Sequence, residues 1–284
     1  KAINTSIAIS DITDILTSSI SNVLESDVPV TFLLSGGLDS SLNIALASKI
    51  IPDVSTFSVI FSTDKDSDES LYSRSISKAF RTDHTEVDLH INSNDILNVF
   101  NILSRSFDEP LADTSIIPSF ILCREVSRHF KVAIGGDGAD ELFCGYKGYS
   151  YAFYSHLLSS LAFKLGLQQS ALNILSLLAD SKLSSLFKHG LQGFLPFAGN
   201  IFSLEEVQSI SGNPVTLSCL LPRLSRSNHF NQQVSYNDFS NYLPCDILYK
   251  TDMSSMLNSL ELRSPFLDTN LISYIYSNCP PNYH

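Results

Sequence analysis

The sequence predicts an α/β fold: a doubly wound parallel sheet with additional C-terminal helices. Three observations predict it. Short β-branched and aromatic runs alternate with segments of helical period up to residue 134. The run before residue 35 reads as a buried strand. Two of the strand ends, near residues 34 and 134, run directly into glycine turns.

The elements follow in order. Apolar residues recur at helical spacing over 7–25 (Ile12, Ile15, Leu16, Ile20, Val23, Leu24), which predicts a helix. Val28 to Leu34 is the first strand, and a helix follows its loop as far as Ile50. Pro52-Asp53 marks a turn before a second strand, Val54 to Phe61. A helix over Ser70 to Phe80 leads to a third strand, His84 to Leu89. Helices are predicted over Ile96–Ser106 and Ile116–Phe130, then a short strand over Lys131–Ile134. From Tyr151 to about Phe197 the pattern is helical and rich in Leu and Ser, with no chemistry visible. Pro214–Leu224 and Asn228–Ser240 carry loop signals, and Tyr242–Leu260 predicts a helix. The expected division is an α/β core over about 28–150 and a mainly helical remainder over about 151–284. In such sheets ligands sit beyond the carboxyl ends of strands. The loops after Leu34, Phe61 and Ile134 are therefore expected on one rim.

Bulk properties exclude several classes. The 284 residues are 44% hydrophobic, enough for a substantial core. A formal net charge of -11, from 18 basic and 29 acidic residues, argues against a nucleic-acid partner. Five scattered cysteines form no CxxC pair, so reduced thiols are expected rather than zinc or disulfides. No apolar run reaches membrane-spanning length and no signal-peptide layout is present. The expected location is cytoplasmic, with no membrane partner.

Three blocks carry chemistry. In Phe32-Leu33-Leu34-Ser35-Gly36-Gly37-Leu38-Asp39-Ser40-Ser41 an apolar run ends in a glycine and hydroxyl turn that opens a helix. Glycines allow backbone N–H groups to face an anion, and the helix end adds positive potential. A carboxylate at Asp39 tolerates a phosphate only across a cation, so the turn suggests pyrophosphate with Mg²⁺. No Gly-Lys-Ser/Thr follows, so this is not a Walker loop. Ile134-Gly135-Gly136-Asp137-Gly138-Ala139-Asp140-Glu141 joins glycines to three acids after a predicted strand, on the same expected rim. Thr251-Asp252 through Glu261-Leu262-Arg263-Ser264-Pro265-Phe266-Leu267-Asp268 places acids in a mostly apolar helix and turn, with Arg263 as a candidate partner. His84 reads as a packing or surface residue.

The first block resembles the SGGxDS loop of the ATP pyrophosphatases. The three blocks in this order resemble the synthetase domain of the glutamine-hydrolysing asparagine synthetases. So do Asp68-Glu69 with Tyr72, His84-Thr85-Glu86, and Asp108-Glu109-Pro110 with Asp113 and Ser115. The likeness runs from about residue 5 to the end, weakest over 151–235. It implies an adenine nucleotide alpha hydrolase-like fold and ATP-dependent amide formation. A substrate carboxylate, aspartate's side chain in the name-giving reaction, attacks the α-phosphate to give an acyl-adenylate and pyrophosphate; ammonia then displaces AMP. Carried over by position, Ser35, Gly36, Gly37, Asp39 and Ser40 would hold pyrophosphate. Leu33, Val59, Gly135 and Gly136 would line the ATP site. Asp39 and Asp140 would ligate Mg²⁺, and Asp137 and Glu261 would serve catalysis. An acid at position 137, where β-lactam-forming relatives tend to have Tyr, favours amidation over ring closure.

The family's N-terminal glutaminase domain, with its leading Cys, and its basic C-terminal segment do not appear in this sequence. The resemblance therefore implies a glutaminase partner domain elsewhere, and weak ATP binding with slow turnover by these residues alone. A homodimer is left open. Other readings stand beside it: amidation of a uronic acid sugar or a peptide, a tRNA-modifying enzyme, disfavoured by the acidic balance, or a non-catalytic nucleotide-binding domain.

Overall fold

The structure is a computed structural model and describes residues 5–60, 70–89, 92–108, 111, 113–146, 149, 208–210, 212 and 230–278. The expectations for 151–197 and 214–224, and the Asp68-Glu69 and Glu109-Pro110 motifs, lie outside these residues. Two compact units are present. The first joins Lys1–Ala139 with Cys245–Asn278; the second joins Asp140–Pro244 with Cys279–His284.

The first unit holds the sheet. Its elements run α1 (Thr5–Leu24), β1 (Val30–Leu33), α2 (Leu38–Ala47), β2 (Ser55–Ile60), α3 (Ser70–Phe80), β3 (Asp83–Asp88), α4 (Ser93–Ser106), α5 (Ile116–Val126) and β4 (Val132–Ile134). After α6 (Ala139–Phe143), α7 (Phe230–Asn237) and a π-helical stretch (Asp238–Ile247), it closes with α8 (Leu248–Met256), β5 (Glu261–Arg263) and α9 (Thr269–Asn278). The five strands are all parallel, in the order β3-β2-β1-β4-β5. Phe32 of β1 pairs with Thr56 on one side and Ile134 on the other, and Ile134 pairs with Arg263.

The register sorts side chains by parity. Phe57 and Ala133 pack with Cys123 and Val126 of α5. Val59 and Val87 pack against Val99 and Leu103 of α4 and Phe120 of α5. Helix α8 lies on α5. The alternate positions, Phe32 and Ile134, are equally buried and point to the other face. There α1 packs on α2, α9 and the 3₁₀ turn Pro265–Leu267. Ser19 Oγ donates to the Pro265 carbonyl at 2.8 Å, and Tyr274 Oη to Asp11 Oδ2 at 2.6 Å. A sheet covered on both faces favours apolar side chains on both sides of its central strands. In β2 the buried polar exceptions Thr56 and Ser58 are hydrogen-bonded, Thr56 Oγ1 with Thr82 and Ser58 Oγ to the Leu34 carbonyl.

Four predicted strands are present. The fifth, β5, was expected to be helix or turn. Three residues carry too little periodicity to signal a strand, and pairing with β4 alone makes it one. That pairing draws 245–278 into the sheet unit. The predicted loop over 228–240 is instead α7 and π-helix. Its polar residues are internally satisfied: Ser235 Oγ donates to the Glu141 carbonyl at 2.7 Å, and Tyr149 Oη to Asp238 Oδ2 at 2.6 Å. Polar composition reads as loop when its partners are distant in sequence.

Two measurements test this architecture. Gly36 has φ +88, and a Cβ there would sit 2.7 Å from Ser73 N and 2.8 Å from Tyr72 C in α3. Gly212 also has positive φ, +67, but open space around it. Gly36→Ala is expected to lower unfolding free energy by more than about 2 kcal/mol, and Gly212→Ala by about 1 kcal/mol, in denaturant titrations. Lys250 Nζ of α8 meets Asp113 Oδ2 at 2.6 Å and Ser115 Oγ at 2.8 Å before α5. Partial burial raises the Asp113 carboxyl, but the bonds from Lys250 and Ser115 outweigh it and leave it below its ordinary value of 3.8. A depressed carboxyl stabilises the fold above its unfolded value and loses that contribution as pH falls through the folded one. Asp113→Asn is therefore expected to flatten the acid side of the stability profile below about pH 4, measured by thermal melts across pH.

Candidate active site

Strand order reverses at β1, whose neighbours are β2 and β4. The loops leaving β1 and β4 thus emerge side by side at the carboxyl edge, where no crossover helix can fill the gap. Asn43 Nδ2 of α2 donates to the Gly135 carbonyl at 2.9 Å and locks the two loops together. A Cβ on Gly136 would lie 3.2 Å from Asp39 Cβ, so the second loop has little room for a side chain.

A cavity of about 460 Å³ opens on this rim. From the β1 loop it is lined by Leu33, Ser35, Gly37, Asp39 and Ser40. Val59 of β2 and Gly135, Gly136 and Asp137 of the β4 loop complete the predicted set. Nine sequence-expected residues are thus brought together. Gly36 lies behind them, against α3.

The first loop is built to receive an anion. Gly37 caps α2 with no side-chain hydrogen bond, leaving first-turn N–H groups without an intrahelical acceptor. Ser35 Oγ accepts from Gly37 N and lies within bonding reach of Ser40 Oγ, both at 3.2 Å, long contacts that a stronger acceptor can replace. Ser58 Oγ donates to the Leu34 carbonyl and fixes where β1 ends. The second loop is held by Gly135 N donating to the Arg263 carbonyl at 2.8 Å and by Ser264 Oγ donating to the Asp137 carbonyl.

The electrostatics are one-sided. Asp39 and Asp137 both line the cavity, and no Lys or Arg does so among the described residues. Burial raises the Asp137 carboxyl, while the Lys250 ammonium and the Thr251 hydroxyl work to lower it. Burial and the Asp137 charge push the Cys123 thiol up to about 12, so it lines the wall as an inert, protonated group. Polyphosphate entering here requires a cation, and Asp39 is a fitting ligand for one.

Two expected residues are not among those that line the cavity. Asp140 stands in the first turn of α6, in the second unit. Burial raises its carboxyl, and a Cβ on Gly145 would approach its Cγ to 3.0 Å. Glu261 occupies the entry end of β5, opposite Val132 rather than at the loop rim, with its side chain 55% exposed. It accepts from Arg263 Nε at 2.7 Å, and Arg263 Nη1 donates to the Val23 and Glu25 carbonyls. This is a surface ion pair that pins α1's exit: the expected partnership with Arg263 is present for Glu261, and both acids of this mostly apolar block, Asp252 and Glu261, are exposed. Of β5 only Leu262 reaches the cavity; Thr251 and Ser254, earlier in the block, line it from α8. His84 is a packing residue, with Nδ1 at 2.9 Å from Thr56 Oγ1.

Sequence reasoning missed the α5 and α8 walls: Pro118, Ser119, Leu122, Thr251 and Ser254. Thr251 lay inside a recognised block, but helical spacing does not say which face meets a cavity.

The asparagine synthase family model matches residues 11–284. Asparagine synthetase [glutamine-hydrolyzing] 1 of Bacillus subtilis is 31% identical over 277 residues, covering 92% of this chain and 42% of that protein. A putative asparagine synthetase of Mycobacterium tuberculosis is 28% identical, covering 93% and 41%. The amidase chyE of Penicillium rubens is 26% identical, covering 91% and 44%. The chain spans about two fifths of the length of these relatives. The solved NH3-dependent NAD synthetase of Campylobacter jejuni aligns at TM-score 0.33 and 16% identity, covering 68% of this chain and 97% of that one, a likeness too loose to bear on fold or function. With its family model matched over nearly its whole length, this chain belongs to the asparagine synthase family.

Proposed function

We propose that this chain is the synthetase portion of an ATP-dependent amide ligase that converts the side-chain carboxylate of aspartate to an amide. One observation carries the reading: an uncapped helix start, a glycine cradle and the carboxylates Asp39 and Asp137 share one cavity at the switch point of the sheet. In this reading ATP is a co-substrate. The first-turn N–H groups of α2, with Ser35 and Ser40, receive its β- and γ-phosphates. Leu33 and Val59 offer the apolar wall for adenosine. Asp39, and Asp140 in the same scheme, would hold Mg²⁺, which when bound neutralises the polyphosphate charge.

The reaction balances in two steps. An oxygen of the substrate carboxylate bonds to the α-phosphorus as the bond to pyrophosphate breaks, and pyrophosphate leaves with the electron pair. Ammonia then bonds to the acyl carbon, and AMP leaves with the electrons of the C–O bond. The α2 donors stabilise charge growing on the leaving pyrophosphate, since fixed N–H groups need no reorganisation. Asp137 takes a proton from the attacking ammonia, a role suited to a carboxyl whose basicity burial increases. Ammonia would come from a glutaminase domain, as the bracketed words in the relatives' names suggest.

Isothermal titration with Mg²⁺ and ATP tests the cradle. Asp39→Ala is expected to weaken binding more than about tenfold, and unchanged affinity would point to a different ligand. AMP release with aspartate and ammonium tests the catalytic assignments. Asp137→Asn is expected to cost at least about a hundredfold in kcat. Glu261→Gln, on the exposed entry end of β5, is expected to stay within about twofold of the parent, as surface pairs contribute little.

A further inference from the structure

The α8 wall of the cavity contains a polar group with nothing to bind. Ser254 is 0% exposed, lines the cavity, and its Oγ has no hydrogen-bond partner. Helical serines in this protein normally satisfy themselves. Ser48, Ser75 and Ser106 each donate to the carbonyl four residues earlier. Ser255, next in the chain, donates to the Asp252 carbonyl at 3.1 Å. Ser254 takes neither route. A buried hydroxyl left unpaired is costly unless a ligand completes it.

Its surroundings say what kind of ligand. Lys250 lies one turn earlier on the same face of α8. Asp113 and Ser115 hold its ammonium in place and use two of its three donors. Thr251 lines the same wall. Lys250 does not line the cavity itself, but its charge is felt there at Asp137, so a hydroxyl donor one turn along the same helix favours an oxygen anion as its acceptor.

We propose that Ser254 Oγ donates to a second, non-reacting carboxylate of the acid substrate, making α8 the wall that selects dicarboxylic acids over monocarboxylic ones. Lys250 is a positioning residue in this subsite: it holds the start of α5 against α8 and biases the wall toward anions. The subsite rests on the ligase reading above, because the reacting carboxyl must lie by Asp137 while the second one reaches α8.

The test compares aspartate with β-alanine, which keeps the reacting carboxyl and the amine but lacks the second carboxylate. Pyrophosphate release by the intact protein is measured for the parent and Ser254→Ala. The variant is expected to raise KM for aspartate about tenfold, to leave KM for β-alanine and kcat within about twofold, and to melt no lower than the parent, since no internal bond is lost. Equal KM values for parent and variant, or the same rise with both acids, would overturn the subsite. A parallel titration of the parent with Mg²⁺ and ATP separates the two ideas. ATP binding with a silent Ser254→Ala overturns the subsite alone; no ATP binding overturns the ligase reading and the subsite with it.

Discussion

A buried amide hydrogen bond, from Asn43 of α2 to the Gly135 carbonyl, ties the helix after β1 to the loop after β4. It is short enough to form only because β1 and β4 are neighbours, register-matched from Val30–Val132 to Phe32–Ile134. About a hundred positions of chain separate the two loops, and the strand order returns them to contact. The glycine cradle, Asp39 and Asp137 have no shared chemistry without that adjacency. Parallel strands also set the polarity: all their carboxyl ends face one rim, so every loop able to reach the cavity departs from the same edge.

The rim is crowded by backbone rather than by side chains. Gly36 turns with positive φ directly against the first turn of α3, and Gly136 passes close to Asp39. These approaches leave little room for a side chain at either position. The walls away from the loops come from α5 and α8, two helices that lie on each other and are joined through Lys250 and Asp113. An ion pair with 13% and 22% exposed side chains is screened less by solvent than a surface pair, and it ties the start of α5 to α8.

Arg263 shows how proximity in sequence misleads. It stands within a recognised block and pairs with Glu261, yet the pair works as an anchor for the end of α1. A strand alternates its side chains, so of three consecutive residues in β5 only Leu262 lines the cavity. In a helix the same block would have offered Glu261 and Arg263 to different neighbours.

The sequence by itself determined what local rules can encode. Hydrophobic period marked four strands and the helices between them, and the residues of the phosphate turn were legible because glycine, hydroxyl and acid at fixed spacing after a strand have few other uses. Of the nine expected residues in the cavity, the Ser35–Ser40 turn and the acid at Asp137 stood out by pattern, while Leu33, Val59, Gly135 and Gly136 were named by likeness to the asparagine synthetases. Tertiary structure alone decided the rest. β5 exists because β4 offers a free edge, α7 because its polar side chains find distant partners, and the exposure of Glu261 because its strand enters the sheet from the far end. The orientation of Ser254 into the cavity belongs to the same class: which face of α8 meets the sheet is set by packing against α5, and packing between remote segments leaves no periodic trace in either one.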